Sequence, residues 1–454
     1  MSIREYLAAH KDQHLADLFD FLRIPSISTD PDHQADIERA AAFLQQELQH
    51  HGFTSDIITT ARHPLVYARY HPHPHGPTIL IYGHYDVQPP DPLEAWRTPP
   101  FEPTLENGAI IARGASDDKG QLYAHIKAAT ALLASEGTLP INLTFLLEGE
   151  EEIGSPNLVP FLEENREQLA ADTVIISDCA MVAPDTPTIT YGLKGITYLE
   201  ILVHGAAIDL HSGVFGGGVP NPINGLARMI ASLHDDHGRV AVPGFYQDVL
   251  DITDLERKTL REVPFDEAAL RAEIGLEETP GEDGYTLLER LWARPTLDAN
   301  GIGGGFQGEG SKTVIPKSAM AKISCRLVPN QTPEDISNKL ETHLKNILPA
   351  GLRLEITRLH SGMPALTPIT SRSVQAAARA LTRVYGKNPV FARSGGTIPV
   401  VSAFQELLNA EVVLIGFGLE NDRIHSPNEK LDLINYFRGI ETSVELLKNL
   451  GSST

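Results

Sequence analysis

The sequence predicts an α/β fold: a largely parallel mixed sheet flanked by helices, interrupted by an inserted α+β domain. Three observations predict it. Short apolar runs alternate with helical stretches between residues 65 and 176, the pattern of strands buried in a parallel sheet. After Gly192 the texture changes to strands, Gly-rich connections and polar helices, which suits a smaller layered α+β domain. From about residue 370 the earlier alternation returns. The expected organisation is therefore a first domain in two parts, residues 1–193 and 367–454, with residues 194–366 inserted between them.

Taken in order, the N-terminus is helical, with Leu15, Leu18, Phe19 and Leu22 on one face. Prolines at 25 and 31 break it, and a second helix over residues 37–48 stops at Gly52. Strands are expected at 65–70 and 78–82, joined by a rigid His-Pro hairpin turn over 71–76. A short strand at 109–112 precedes a helix over 120–135; strand 141–147, helix 158–169 and strand 173–176 follow. In the insert, strand 196–204 leads to a Gly-rich loop at 213–218 and a helix near 221–233. Residues 248–294 are polar and helical, and a second Gly-rich loop covers 301–310. Strand 319–327, helix 333–347 and strand 352–358 complete it. The last part holds a helix through Leu381, a strand at 411–417 and a helix near 434–447.

Composition narrows the function classes. The length of 454 residues suits two or three domains, and 42 % hydrophobic with 21 % charged residues is ordinary for a globular chain. With 59 acidic residues against 37 basic, the formal net charge is −22, which argues against nucleic acid or an anionic membrane as partner. Two cysteines cannot build a disulfide framework. The charged N-terminus lacks a signal peptide's apolar core, and no run reaches the ~18 apolar residues of a membrane span. A cytoplasmic location is expected.

The polar residues that follow the apolar strands carry the chemistry. Open α/β sheets hold ligands at the carboxyl ends of their strands. There the sequence offers Gly83-His84-Tyr85-Asp86-Val87, Gly114-Ala115-Ser116-Asp117-Asp118-Lys119-Gly120, Glu148-Gly149-Glu150-Glu151-Glu152, Ser177-Asp178 and a loop carrying His425. Two histidines and several carboxylates in one crevice form a ligand set for Zn²⁺ or Mn²⁺. Singly, each has a plainer reading: a hydrogen-bonded His-x-Asp, acids at a helix start, an Asp cap. That plainer reading would have to recur five times.

Together these motifs, with Glu151-Glu152-Ile153-Gly154-Ser155 and His425-Ser426-Pro427-Asn428-Glu429-Lys430, resemble the co-catalytic di-metal exopeptidases. That family includes carnosinases, cytosolic non-specific dipeptidases, aminoacylases and succinyl-diaminopimelate desuccinylase. Tyr191-Gly192-Leu193-Lys194-Gly195, Asp209-Leu210-His211-Ser212-Gly213 and Ser311-Lys312-Thr313-Val314-Ile315-Pro316 are most similar to its dipeptidase–carnosinase branch. The resemblance implies two divalent ions per subunit, Zn²⁺ or Mn²⁺, with Co²⁺ also accepted. His84 and Asp178 would bind one ion, Glu152 and His425 the other, and Asp117 both. Asp86 would orient His84. Glu151 would be the general base that activates a metal-bridging water; the Glu-Glu-x-Gly-Ser spacing selects it over Glu150. The insert would act as lid and dimer interface, with His211 reaching the partner subunit's site.

Thr313, Arg326 and His360 are candidates for holding a substrate carboxylate, Arg326 by its bidentate fork. Gly396 and Thr397, with Gly395, are candidate donors to substrate. The function implied is a dipeptidase for short peptides with a free C-terminal carboxylate. The alternatives are an N-acyl-amino-acid amidohydrolase or carboxypeptidase on the same scaffold and, in another class, a non-catalytic binding protein. Three features are set aside. The stretch 305–313 misses the P-loop pattern because Ser311 intrudes and Pro316 breaks the helix. The run 71–75 reads as a turn, and Cys179 as a packed thiol.

Overall fold

The computed structural model describes residues 1–452. Its main sheet has nine strands. At the centre, Asn142–Glu148, Thr78–His84, Thr173–Ile176 and Glu411–Ile415 lie side by side and all parallel. Antiparallel Leu65–Tyr70 and Thr54–Ile58 extend one edge, and antiparallel Thr188–Leu193 continues the other. Val390–Ser394 and Ala365–Leu366 pair with that last strand. Every residue of Asn142–Glu148 is buried, as expected where helices cover both faces. One face packs on the helices Lys119–Glu136, Arg372–Tyr385 and Leu433–Gly451 through a core that includes Leu122, Phe145, Ala377 and Ile440. The other packs on Leu158–Glu164 and Pro399–Leu408 through Leu80, Leu146, Leu162 and Phe404.

A second sheet of four antiparallel strands has the order Thr296–Gly304, Ser318–Leu327, Gly195–His204, Arg353–Gly362. Burial alternates residue by residue along Gly195–His204, the period of a sheet covered on one face. The helices Pro222–Ala231 and Pro333–Ile347 cover that face, packing Leu226, Met229 and Leu340 on Leu199, Ile201 and Ile323. The other face carries Tyr198 and His360, whose rings stack with centroids 5.0 Å apart. Among the described residues no helix is long and apolar enough to cross a membrane.

Several expectations need correction. Residues 71–76 do not close a hairpin. Strand Asn142–Glu148 lies between the two strands they connect, so this segment crosses over a sheet neighbour. The strand Ala109–Ile111 is outside the main sheet, in a small sheet with Thr104–Glu106 and Lys430–Asp432. The loop expected at 301–310 begins later, because the strand Thr296–Gly304 runs through its first glycines, held by pairing with Ser318–Leu327. The glycines at 213–218 open with a helical turn, Ser212–Phe215. The helix expected at 158–169 ends at Glu164, and the strand at 352–358 continues to Gly362. Strands Thr188–Leu193 and Val390–Ser394 and helix Pro399–Leu408 were not expected.

Candidate metal centre

The four parallel strands end on one side of the sheet and deliver the predicted polar residues to one place. His84 is the last residue of its strand. Glu151 and Glu152 form a single 3₁₀ turn just beyond Asn142–Glu148. Asp178 follows Thr173–Ile176, and His425 lies on the loop after Glu411–Ile415 with φ 59°. Asp117 comes from the turn between Ala109–Ile111 and helix Lys119–Glu136. That helix starts tight against the turn: a methyl at Gly120 would fall 2.0 Å from the Ala115 carbonyl oxygen, so only glycine fits. The Asp117–Asp118 peptide is cis.

Asp117 stands between the two histidines. Its Oδ1 lies 3.0 Å from His84 Nε2, and its Oδ2 lies 2.9 Å from His425 Nε2. His425 Nε2 is also 3.2 Å from Glu152 Oε2. Ligand atoms of His84, Asp117 and Asp178 lie within 4.8 Å of one another, as do those of Asp117, Glu152 and His425. Two three-residue groups therefore share Asp117. Imidazole nitrogen and carboxylate oxygen are donors that Zn²⁺, Mn²⁺ and Co²⁺ accept, so the residues fit a pair of divalent ions.

Electrostatics agree with that fit. Burial, and then the Asp117 carboxylate, push the Asp178 carboxyl up to about 7. Burial, joined by Asp178, Glu152 and Asp86 against the opposing pull of His84, pushes Glu151 up to about 8. Hydrogen bonds to Asp117 and Glu152 raise His425 to about 10. Burial opposes ionisation of Asp117, yet hydrogen bonds from His425 and His84 hold its carboxyl well below the usual range. Crowded carboxylates of this kind favour a bound cation.

Two buried carboxylates outside the cluster hold it in shape. Asp86 lies within reach of His84 Nδ1, its carbonyl oxygen at 3.1 Å and its Oδ1 at 3.4 Å. The same Asp86 accepts from the backbone N–H groups of Glu151, at 3.2 Å, and Glu152, at 3.1 Å. It thus fixes an imidazole and the glutamate turn at once. Glu429 plays the matching part for Asp117. Its carboxylate accepts from the N–H groups of Gly114, Ser116 and Asp117 at 2.9, 2.9 and 3.0 Å, and from Arg113 Nη1 at 2.7 Å. Glu429 stands within the motif that begins at His425 but is not among the expected site residues. The motif alone carries no sign that its carboxylate turns back onto another segment.

Partners distinguish the members of the glutamate run. Glu150 is buried and turned away, its Oε1 accepting from His63 N–H at 2.7 Å and from Asn157 Nδ2 at 2.9 Å. Glu152 Oε2 faces the cluster and accepts from Gln88 Nε2 at 2.8 Å. Cys179 is half-buried with its thiol pushed up by burial, which leaves it a poor nucleophile.

The other predicted residues are spread over the two-stranded sheet of Leu210–His211 and Val314–Ile315, the second sheet, and the loop at 394–397. His211 is exposed, in the two-residue strand Leu210–His211 that pairs with Val314–Ile315, and its Nδ1 accepts from Gly213 N–H at 3.0 Å. Thr313 is adjacent, its carbonyl oxygen accepting from Ser212 N–H at 3.1 Å. Arg326 Nη1 donates to Thr397 Oγ1 at 3.1 Å, and Thr397 Oγ1 donates to the Lys194 carbonyl at 2.6 Å. Gly396 N–H donates to Ser394 Oγ at 3.0 Å. His360 remains apart, on the open face against Tyr198.

Residues 80–449 match the sequence profile of peptidase family M20/M25/M40. The chain belongs to that family. A Cys-Gly metallodipeptidase of Schizosaccharomyces pombe is 34 % identical over 99 % of this chain and 98 % of its own length. A Beta-Ala-His dipeptidase of Homo sapiens is 32 % identical over 96 % of this chain and 89 % of its own. Among solved structures, a M20 family metallo-carboxypeptidase from Sulfolobus solfataricus is 36 % identical, with a TM-score of 0.83 over 97 % of this chain and 99 % of that one. As an M20 member the chain is a hydrolase acting on peptide bonds.

Proposed function

We propose that this chain is a metal-dependent dipeptidase cleaving dipeptides or short peptides that end in a free carboxylate. The observation that carries the reading is Glu151 beside two ligand groups that share Asp117. In this reading His84 and Asp178 hold one divalent ion, Glu152 and His425 the other, and Asp117 both. The ions, Zn²⁺ or Mn²⁺ with Co²⁺ also accepted, supply when bound a water acidic enough to attack near neutral pH and a Lewis acid for the amide carbonyl.

This chain's residues do the rest. Glu151 takes the water's proton and returns it to the leaving amine, a task suited to a carboxyl raised toward neutrality. Asp86 keeps the His84 ring oriented and the Glu151 backbone in place. His211 donates to the carbonyl oxygen as negative charge develops there. Arg326 holds the substrate's C-terminal carboxylate, with Thr313, His360, Gly396 and Thr397 completing the substrate contacts. The four-stranded layer, residues 194–366, is the lid and the interface of a cytoplasmic homodimer in which His211 acts on the partner subunit's site. Exposed Val214 and Phe215 beside His211 suit such an interface.

A second reading, a carboxypeptidase on longer peptides, is supported by the Sulfolobus relative. Metal-loaded protein assayed on dipeptides, tetrapeptides and N-acetyl amino acids separates the readings. Dipeptide turnover with little release from the others is expected. Turnover of acyl amino acids or tetrapeptides without dipeptides would overturn the proposal.

A further inference from the structure

A cavity of about 630 Å³ lies between the second sheet, the helix Leu287–Ala293 and the loop at Gly395. None of the candidate metal ligands lines it. Its walls bring together four cations, Lys194, Arg290, Arg294 and Arg326, and two carboxylates, Glu282 and Asp298. In a chain of net charge −22, that local excess of positive charge needs a reason.

The partners of these cations sharpen the point. Arg294 is neutralised: its Nε and Nη2 donate to the two oxygens of Glu282 at 2.7 Å, with the guanidinium over the Tyr285 ring. The other three have only neutral acceptors among the described residues. Lys194 Nζ donates to the Arg290 carbonyl at 3.1 Å, Arg290 Nη1 to the Thr279 carbonyl at 2.7 Å, and Arg326 Nη1 to the Thr397 hydroxyl at 3.1 Å. Asp298 accepts from Thr296 Oγ1 at 3.2 Å and forms no ion pair with them. Lys194 is 3 % exposed, so its charge is not held by bulk water. Burial, and then Arg326 and Arg294 with Asp298 opposing, push its ammonium down to about 7. Unpaired cations gathered in a low-dielectric pocket form a receptor for an anion. Leu287, Leu291 and Leu297 line the same space and offer a surface for methylene groups.

Arg326 and Gly395 belong both to this cavity and to the stretch assigned to the substrate's C-terminal carboxylate. A carboxylate held at Arg326 would therefore place the side chain of the same residue in the space leading to Lys194 and Arg290. We propose that this cavity receives the side chain of the substrate's C-terminal residue and selects an acidic one, aspartate or glutamate. The inference rests on the dipeptidase reading and on Arg326 as holder of the α-carboxylate. It assigns Lys194 and Arg290 as specificity-determining residues.

The test compares kcat/KM of the metal-loaded enzyme on Ala-Glu, Ala-Gln and Ala-Ala. A roughly 10- to 100-fold preference for Ala-Glu over its neutral isostere is expected, carried mainly by KM and reduced by salt. In Lys194→Met and Arg290→Met the Glu/Gln ratio should fall toward one, whatever the absolute rates. Calorimetric titration with free L-glutamate and L-glutamine reads the pocket without turnover and should show the same preference. Hydrolysis of Ala-Ala and Ala-Gln with no advantage for Ala-Glu, and equal binding of the two free amino acids, would overturn the pocket and leave the dipeptidase standing. Failure to cleave any dipeptide while glutamate still binds selectively would instead overturn the dipeptidase reading and, with it, the pocket's assignment to a substrate side chain.

Discussion

The metal centre and the second sheet are built in opposite ways. At the centre, His84, Asp86 and Glu429 are fully buried, and buried acceptors tie the segments of His84, Asp117 and Glu152, while His425 sits on an exposed loop. On the second sheet His360 is exposed, and so is His211 on the two-stranded sheet with Val314–Ile315, its ring accepting a local hydrogen bond from Gly213 N–H two residues away. In the proposed reading the first region is organised before anything binds, and the second gains its role only when substrate or another subunit meets it. Charge separates them as well, since the centre gathers carboxylates while the cavity beside Arg326 gathers cations. A zwitterionic peptide lying across both would meet cations at its carboxyl end and the acidic cluster toward its amino end. Variants at the centre should therefore change metal content or chemistry, and variants on the second sheet should change turnover with metal retained.

The largest effect is expected from Glu151→Gln. Loss of a positioned general base costs about 10²–10⁴-fold or more in kcat, while elemental analysis should find metal nearly unchanged because Glu151 is outside both ligand groups. A comparable loss is expected from His211→Ala, again with full metal content. Mixed with Glu151→Ala subunits, it should regain part of the activity if His211 works across a dimer; mixtures as inactive as their components would place its action within one subunit.

Glu429→Gln should act through structure. It leaves buried Arg113 without the anionic partner it has at 2.7 Å, a change worth up to about 3–5 kcal/mol. A lowered Tm and reduced metal content are expected; unchanged values would remove Glu429 from the account. For Asp86→Asn, equilibrium dialysis should find metal affinity weaker by about 10–100-fold, the usual cost of losing the partner that orients a ligand.

The smallest effect concerns acid stability. His125 is buried between Ser177 Oγ, at 2.7 Å, and Ser443 Oγ, at 2.8 Å, and burial pushes it down to about 3. An unfolded His binds its proton below about 6.5, so between about 6.5 and 3 the unfolded state holds the extra proton. Stability should fall with decreasing pH across that window, by at most about 1.4 kcal/mol per pH unit from this group. Denaturation of metal-stripped protein at pH 7 and 5 should show a smaller difference for His125→Gln than for the unaltered chain; equal differences would refute the assignment.

Much of this was legible in the sequence because apolar strands and the polar residues after them are local signals. The central strands and the residues they deliver, from His84 to His425, were read that way. What escaped depends on distance in the chain. The crossover at residues 71–76 is invisible without knowing that Asn142–Glu148 fits between its strands. The hold of Glu429 on Asp117 spans 312 residues. The cation-rich cavity is assembled from positions as far apart as Lys194 and Gly395, each unremarkable alone.

Metal-dependent dipeptide cleavage is measured by titrating metal-stripped protein with Mn²⁺ or Zn²⁺ while following hydrolysis of Ala-Ala and of N-acetyl-alanine. No activity is expected at the start, then dipeptide cleavage that rises to a plateau at about two ions per subunit, with N-acetyl-alanine largely untouched. Full dipeptide cleavage without metal, or metal-dependent cleavage of N-acetyl-alanine alone, would contradict it.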